Sequence, residues 1–355
     1  MSAPAAFYPV FIACAALSWL GYSCATQGAA SAEEYYSIGM AYFDFGKYEE
    51  AEKWLNRARS LDKTKNASEY NLGRIAYETG RYAEALQYFN RILSKDPENV
   101  LALKAAAYTY IKTGDLAKAG DFYKKVLDLV PESADNGFNY ALVLFALKKP
   151  AEAEAALQKY QLTLEDRDDS LLLLARVQAA QNKVEAVDTY HAWLLHNEDH
   201  KVRYEYAQVL EAGEFYTRAL EEYRELLSAL QDQGNTQTQD KSKKGAPQAS
   251  RVRFDIARLL MIADPKSEEG LNELTQAVKD GFSDAQALEA LDQDERLSAA
   301  HRQEIRRILN TVKTTAKPAD EEAKDRQSDD EPAREASEEA KPGPLEGQSA
   351  APPAP

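Results

Sequence analysis

At 355 residues the chain is longer than one ordinary hydrophobic core fills, so several units or an array are expected. It is rich in Ala, Leu, Glu, Lys and Tyr, which favours helix throughout. A net charge of −15 argues against broad nucleic-acid binding by phosphate neutralisation. Both cysteines, Cys14 and Cys24, lie near the N-terminus, which excludes a disulfide framework or a thiolate metal site in the body of the chain.

From Val10 to Leu20 the chain is apolar and uncharged, and the small residues Gly21, Ser23, Cys24 and Ala25 follow. That length suits the hydrophobic stretch of an export signal and is short for a membrane span. Residues 26–31 form a small polar tether. The segment 1–25 resembles a bacterial lipoprotein signal. The likeness implies lipidation at Cys24 and a membrane-anchored chain on the periplasmic side of the cell envelope. Met1 to Pro9 contains no Lys or Arg, however, and Gly21 and Tyr22 depart from the usual lipidation motif. Cleavage after Ala25, giving a soluble periplasmic protein, and an uncleaved anchor are the alternatives.

Next comes an internal repeat. Gly39, Gly73, Ala107 and Ala141 recur every 34 residues, as do Ala51, Ala85, Ala119 and Ala153. Gly46, Gly80 and Gly114 keep the same step, as do Pro97 and Pro131; at Ala186 and Ala219 it falls to 33. Six repeats begin near Ala32, Asn66, Val100, Ala134, Arg167 and His200 and fill residues 32–230. Helix A of the first reads Tyr35, Ile38, Gly39, Tyr42, and helix B reads Ala51, Leu55, Ala58. The second repeat gives Leu72, Gly73, Tyr82, Ala85, Phe89 and a closing Pro97. In register, this pattern resembles the tetratricopeptide-repeat (TPR) family. The resemblance implies an all-α fold, a right-handed α–α superhelix of paired antiparallel helices. The small residues let the two helices of a pair approach closely, and Leu55 and Phe89 fill the space towards the next repeat. The glycines at 46, 80 and 114 supply the turn. Lys148 stands at that turn position in the fourth repeat, where Pro150 opens helix B.

Residues 231–250 have almost no apolar side chain and read as a disordered linker. Helical pattern resumes over 251–312 as a divergent hairpin followed by capping helices, with Ser283 and Gln286 as a capping box. The acidic, Pro/Ala-rich residues 313–355 read as a disordered tail.

In TPR proteins helix A of each repeat lines a concave groove. On this chain the resemblance places Tyr36, Met40 and Phe43, then Tyr70, Asn71, Arg74 and Tyr77, on that wall. It continues with Lys104 and Tyr108, then Phe138, Asn139 and Phe145. The packing positions of the repeat are already filled by other residues, so these side chains are expected to be free for a partner. Burial between neighbouring helices is the alternative. Family members often use the positions of Asn71 and Asn139 to hold an extended peptide. Of the carboxylate clamp found in one subclass only Asn71 is present, so a two-carboxylate ligand is not expected.

No phosphate loop, H-E-x-x-H or C-x-x-C motif occurs. His191, His196 and His200 cluster, with His196 and His200 spaced as ligands on one helix, but across a turn between repeats. No metal, cofactor or catalytic residue is therefore expected. The expected function is a non-enzymatic scaffold of the cell envelope that takes a protein or peptide in an aromatic groove. The runner-up is a carrier or transport accessory for a small apolar ligand. Oligomeric state and partner identity are left open.

Overall fold

A computed structural model describes residues 31–160, 167–232, 245, 247–265 and 267–316. Cys24, all of the tether but Ser31, most of the linker and the acidic tail beyond Ala316 lie outside the described residues. Every regular element among them is helical. The described residues fall into two compact units, one ending at Glu132 and one starting at Ser133. This division was not visible in the repeat pattern.

Unit one holds three helical hairpins: α1 (Ala32–Asp44) with α2 (Tyr48–Ser60), α3 (Lys65–Glu78) with α4 (Tyr82–Leu93), and α5 (Val100–Lys112) with α6 (Leu116–Leu129). Their starts agree with the repeat phase to within a residue. Ser31 opens α1 with a capping box. Its hydroxyl accepts from the Glu34 amide at 3.2 Å and its own amide donates to the Glu34 carboxylate at 2.7 Å. Asn99 and Asp115 cap α5 and α6.

Close helix approach explains the small-residue period. A Cβ on Gly39 would lie 2.8 Å from Leu55 Cγ, and one on Gly73 would lie 2.5 Å from Phe89 Cε1. Ala51, Ala85 and Ala119, on the facing helices, are fully buried. Gly46, Gly80 and Gly114 adopt φ of 68°, 76° and 80°, the left-handed region that ends helix A at little cost only for glycine.

Unit two continues the scheme with α7 (Ala134–Ala146) and α8 (Pro150–Lys159), α9 (Asp168–Ala179) and α10 (Glu185–Leu194), then α11 (His200–Ala212) and α12 (Tyr216–Asp232). A seventh hairpin, α13 (Ala249–Ala263) and α14 (Glu268–Lys279), follows, and then α15 (Ala285–Asp292) and α16 (Ala299–Ala316). Ala153, Ala186 and Ala219 are fully buried. The turns keep the left-handed angle without glycine, at Lys148, Asn182 and Glu214.

Beyond the sixth hairpin, α13 packs on α12, and Phe254, Met261, Leu274, Phe282, Leu291 and Ile305 build a closing core over α13–α16. Gly270 permits this hairpin, since its Cβ would meet Met261 Cγ at 2.5 Å. Two boundaries move: α12 runs into the expected linker and α16 extends to Ala316. The capping box at Ser283 and Gln286 is also corrected. Asp284 is the cap, accepting from the Ala287 amide at 2.9 Å, and Gln286 is already inside the helix.

Candidate functional site

In unit one the helices A present a ring-rich face whose centre is hydrogen-bonded. Asn71 Nδ2 donates to the Tyr36 hydroxyl and to the Ala67 carbonyl, both at 3.0 Å. Arg74 Nη1 donates to Asn71 Oδ1 at 3.2 Å, and the guanidinium lies 4.5 Å above the Phe43 ring. These contacts tie α1 to α3. Burial pushes the Tyr36 hydroxyl above its ordinary pKa, against the hydrogen bond from Asn71 and the charge of Arg74. Burial also raises Tyr70, again opposed by Arg74. Both rings therefore stay neutral hydrogen-bonding groups at physiological pH.

Arg74 is the unusual member of the group. It is half-buried, its Nε is buried without a hydrogen-bond partner, and no described carboxylate pairs with it. A desolvated cation left without a counter-charge is costly unless something supplies one.

Several sequence expectations change. Asn71, Tyr108, Phe138 and Asn139 are buried, with Tyr108 at 6% and Phe138 at 5% exposure, so they do not present side chains to solvent. Asn71 is also spent: both amide hydrogens and its oxygen are engaged internally. Tyr108 packs on Tyr123, and Phe138 lies under the Arg167 guanidinium at 4.6 Å. Tyr36, Met40, Phe43, Tyr70, Arg74, Tyr77, Lys104 and Phe145 are half-buried. The expectation that these rings are surplus to internal packing is corrected as well. Tyr36, Met40 and Phe43 lean on the core of Leu55, Leu72 and Ile75, while Tyr70 and Tyr77 lean on that of Phe89 and Ala106. One edge of each ring is core and the other faces outward.

Unit two has a different character. An open pocket of about 360 Å³ is lined by Phe145, Arg176, Tyr190, Glu205, Gln208, Val209 and Ala212. Its floor is ionic. Arg176 grips Glu205 with two hydrogen bonds of 2.9 and 3.0 Å, and the Tyr190 hydroxyl donates to the same carboxylate at 3.2 Å. Burial, reinforced by the Glu205 charge, raises the Tyr190 pKa well above its ordinary value. Of the sequence candidates only Phe145 reaches this pocket. Arg176 and Glu205 were missed because surface ion pairs on helices look the same in sequence. Only their placement on successive helices A, α9 and α11, could have hinted at the pair.

Deeper in unit two, Asp255 is 2% exposed and gathers Tyr204 at 2.6 Å with Arg251 and Arg258 at 3.3 Å. Arg258 also holds Glu211 through both guanidinium ends. Tyr204 is therefore a member of a structural network between α11 and α13.

His196 falls between α10 and α11, and His200 is buried at the start of α11, so the two do not share a helix. Among the described residues no three His, Cys, Asp or Glu side chains are placed to hold a metal ion. No described helix is long and apolar enough to cross a membrane.

Stacked pairs of antiparallel helices, with small residues at the crossings and a half-open face of helices A, define an all-α repeat scaffold for protein–protein interaction. Residues 29–98 and 70–136 match two family models, each described as tetratricopeptide repeat, so the chain carries tetratricopeptide repeats over residues 29–136. No curated protein matches it. Among solved structures, a tetratricopeptide repeat protein from Parabacteroides merdae is 19% identical, with a TM-score of 0.49, over 73% of this chain and 97% of its own. MamA is 18% identical with a TM-score of 0.46, over 49% and 97%. YrrB, described as a TPR protein with an unusual peptide-binding site, is 19% identical with a TM-score of 0.45, over 49% and 91%.

Proposed function

We propose that the chain is a non-enzymatic adaptor of the bacterial cell envelope that holds a protein or peptide segment on the helix-A face of unit one. The observation that carries this reading is Arg74, a half-buried cation with no described carboxylate partner, set among the rings of Tyr36, Phe43 and Tyr70. A partner segment bringing one carboxylate to Arg74 and apolar side chains to Tyr70, Tyr77 and Met40 supplies the missing charge and covers the outward ring edges. One carboxylate suffices, in keeping with the absence of a two-carboxylate clamp. The envelope setting rests on the N-terminal segment, read from sequence.

The runner-up, a carrier of a small apolar molecule, gains little from unit two. The pocket there has an ion pair for its floor, and desolvating Arg176 and Glu205 under an apolar ligand is unfavourable.

The test is crosslinking and mass spectrometry in the native cell, comparing the wild type with Arg74→Gln and with Tyr70→Ala/Tyr77→Ala. A partner lost in both variants supports the reading. Partners retained in full by Arg74→Gln, with helicity unchanged, would refute the role given to this face.

A further inference from the structure

The outer side of unit one, formed by the helices B, carries a second pattern with the same 34-residue step. Trp54, Tyr88 and Phe122 occupy one repeat position, and Arg57, Arg91 and Lys125 occupy the position three residues later. In each case the cation sits over its own helix's ring: Arg57 over Trp54 at 4.9 Å, Arg91 over Tyr88 at 4.4 Å, and Lys125 over Phe122 at 5.5 Å. Arg59 reaches from α2 to the Tyr88 ring of α4 at 5.9 Å, linking the first two pairs.

The rings are half-buried, while Arg57, Arg91 and Lys125 are exposed. None of these three cations has a carboxylate ion-pair partner among the described residues. The fold does not demand the pattern. In unit two the same positions hold Ala156 and Lys159, then Thr189 and Ala192, then Glu222 and Glu225. By the sixth repeat the charge has reversed.

Helix packing spaces neighbouring elements about 10 Å apart, so the three pairs form a row rather than a point. Lys53 and Lys124, exposed on the same helices, add positive charge in a chain whose total is strongly negative. At the C-terminal ends of α2 and α6, Leu61 is 41% exposed, and Leu129 and Val130 are each 37% exposed. Amphipathic rings, unpaired cations and exposed aliphatic tips within one face match the layers of a lipid surface. Headgroup phosphates meet the cations, Trp and Tyr suit the interface, and aliphatic tips suit the acyl boundary.

We propose that this helix-B face of unit one docks on an anionic lipid surface. A nucleic acid would use the same cations, but its bases stack at intervals far shorter than this row, and the net charge of the chain opposes it. The face is separate from the helix-A face, so membrane contact and partner capture are compatible. Only the presence of a membrane is taken from the envelope reading above.

Vesicle co-sedimentation of the full chain tests it, with phosphatidylcholine alone against phosphatidylcholine mixed with phosphatidylglycerol. Expected is a salt-sensitive preference for the anionic vesicles that falls about ten-fold or more in Arg57→Gln/Arg91→Gln/Lys125→Gln. It should survive in Lys47→Gln/Lys65→Gln/Lys112→Gln, which removes equal charge from the helix-A side and turns of unit one. Equal binding of wild type to both vesicles leaves an N-terminal anchor standing and overturns the docking face. Anionic-only binding that the first triple variant abolishes supports the face and speaks against an anchor. Retained anionic preference in that variant, or capture of single-stranded DNA by the same three residues without vesicle binding, overturns the proposal. Circular dichroism confirms that each variant is folded.

Discussion

Substituting Gly73 by Ala tests the packing logic at its tightest point. The added methyl would lie 2.5 Å from Phe89 Cε1, 2.9 Å from Cζ and 3.1 Å from Cδ1, so the ring must move. Phe89 has nowhere easy to go: it is fully buried and backed by Tyr70 at 5.9 Å. Overpacking of this kind costs about 1–3 kcal/mol. Against it, Ala is favoured over Gly inside a helix by about 1 kcal/mol. The single variant is thus destabilised by roughly 0–2 kcal/mol, the difference of those two ranges. Phe89→Leu alone should cost about 1–2 kcal/mol through lost ring volume. With the ring gone, the methyl meets a flexible chain that can turn aside, as Ala141 and Leu157 coexist at the same two positions of the fourth repeat; a leucine placed like Leu55, whose Cγ lies 2.8 Å from a Cβ on Gly39, would have to shift. Gly73→Ala should then turn neutral or stabilising by up to about 1 kcal/mol in the Phe89→Leu background. Urea unfolding followed by helical circular dichroism on the four proteins reads this sign change as a coupling energy. The same loss in both backgrounds would refute the idea that contact with the Phe89 ring is what penalises a methyl at position 73.

Asp255→Ala removes the anion shared by Arg251, Arg258 and Tyr204, and should cost about 3–5 kcal/mol in urea unfolding. A loss below about 1 kcal/mol would show the arginines to be satisfied by Glu211 and Asp284 alone. Lys148→Gly relieves a left-handed backbone at φ 59° and should stabilise unit two by about 1 kcal/mol, visible as a higher urea midpoint. Glu154, paired to Lys183 at 2.5 Å and to Gln181 at 2.8 Å, is held below the ordinary carboxylate range, chiefly by Lys183. Its contribution is full above the unfolded pKa and fades as pH falls through the lower folded value. Glu154→Gln should therefore lower stability at neutral pH and flatten its decline on the acid side. An unchanged acid limb would contradict the assignment.

The helices were legible because their crossings need small residues at fixed intervals. Gly39, Gly73 and the alanines at 51, 85, 119, 153, 186 and 219 announce six hairpins, and the starts at Ala32, Val100, Ala134 and His200 follow from phase alone. The candidate site was less legible, for a physical reason. A repeat position states which side of a helix a residue occupies, but not whether a neighbour covers it. Tyr70 and Tyr108 share a face in projection, yet Tyr108 is sealed against Tyr123 while Tyr70 keeps an outward edge. Charges are harder still. Arg74 and Arg176 are both arginines on helices A, but one lacks a described counter-charge and the other is clasped by Glu205. Distances of 29 residues or more carry that distinction, and no local pattern contains it.

The turn between the two helices of each pair has a wider implication. Glycine occupies it in unit one, and Lys148, Asn182 and Glu214 hold nearly the same angle in unit two, so conformation persists where residue identity has lapsed. The family models stop matching at residue 136, near the point where glycine gives way. A lineage traced through the turn glycines alone would end at Gly114, while one traced through dihedral angles would run on through the sixth hairpin.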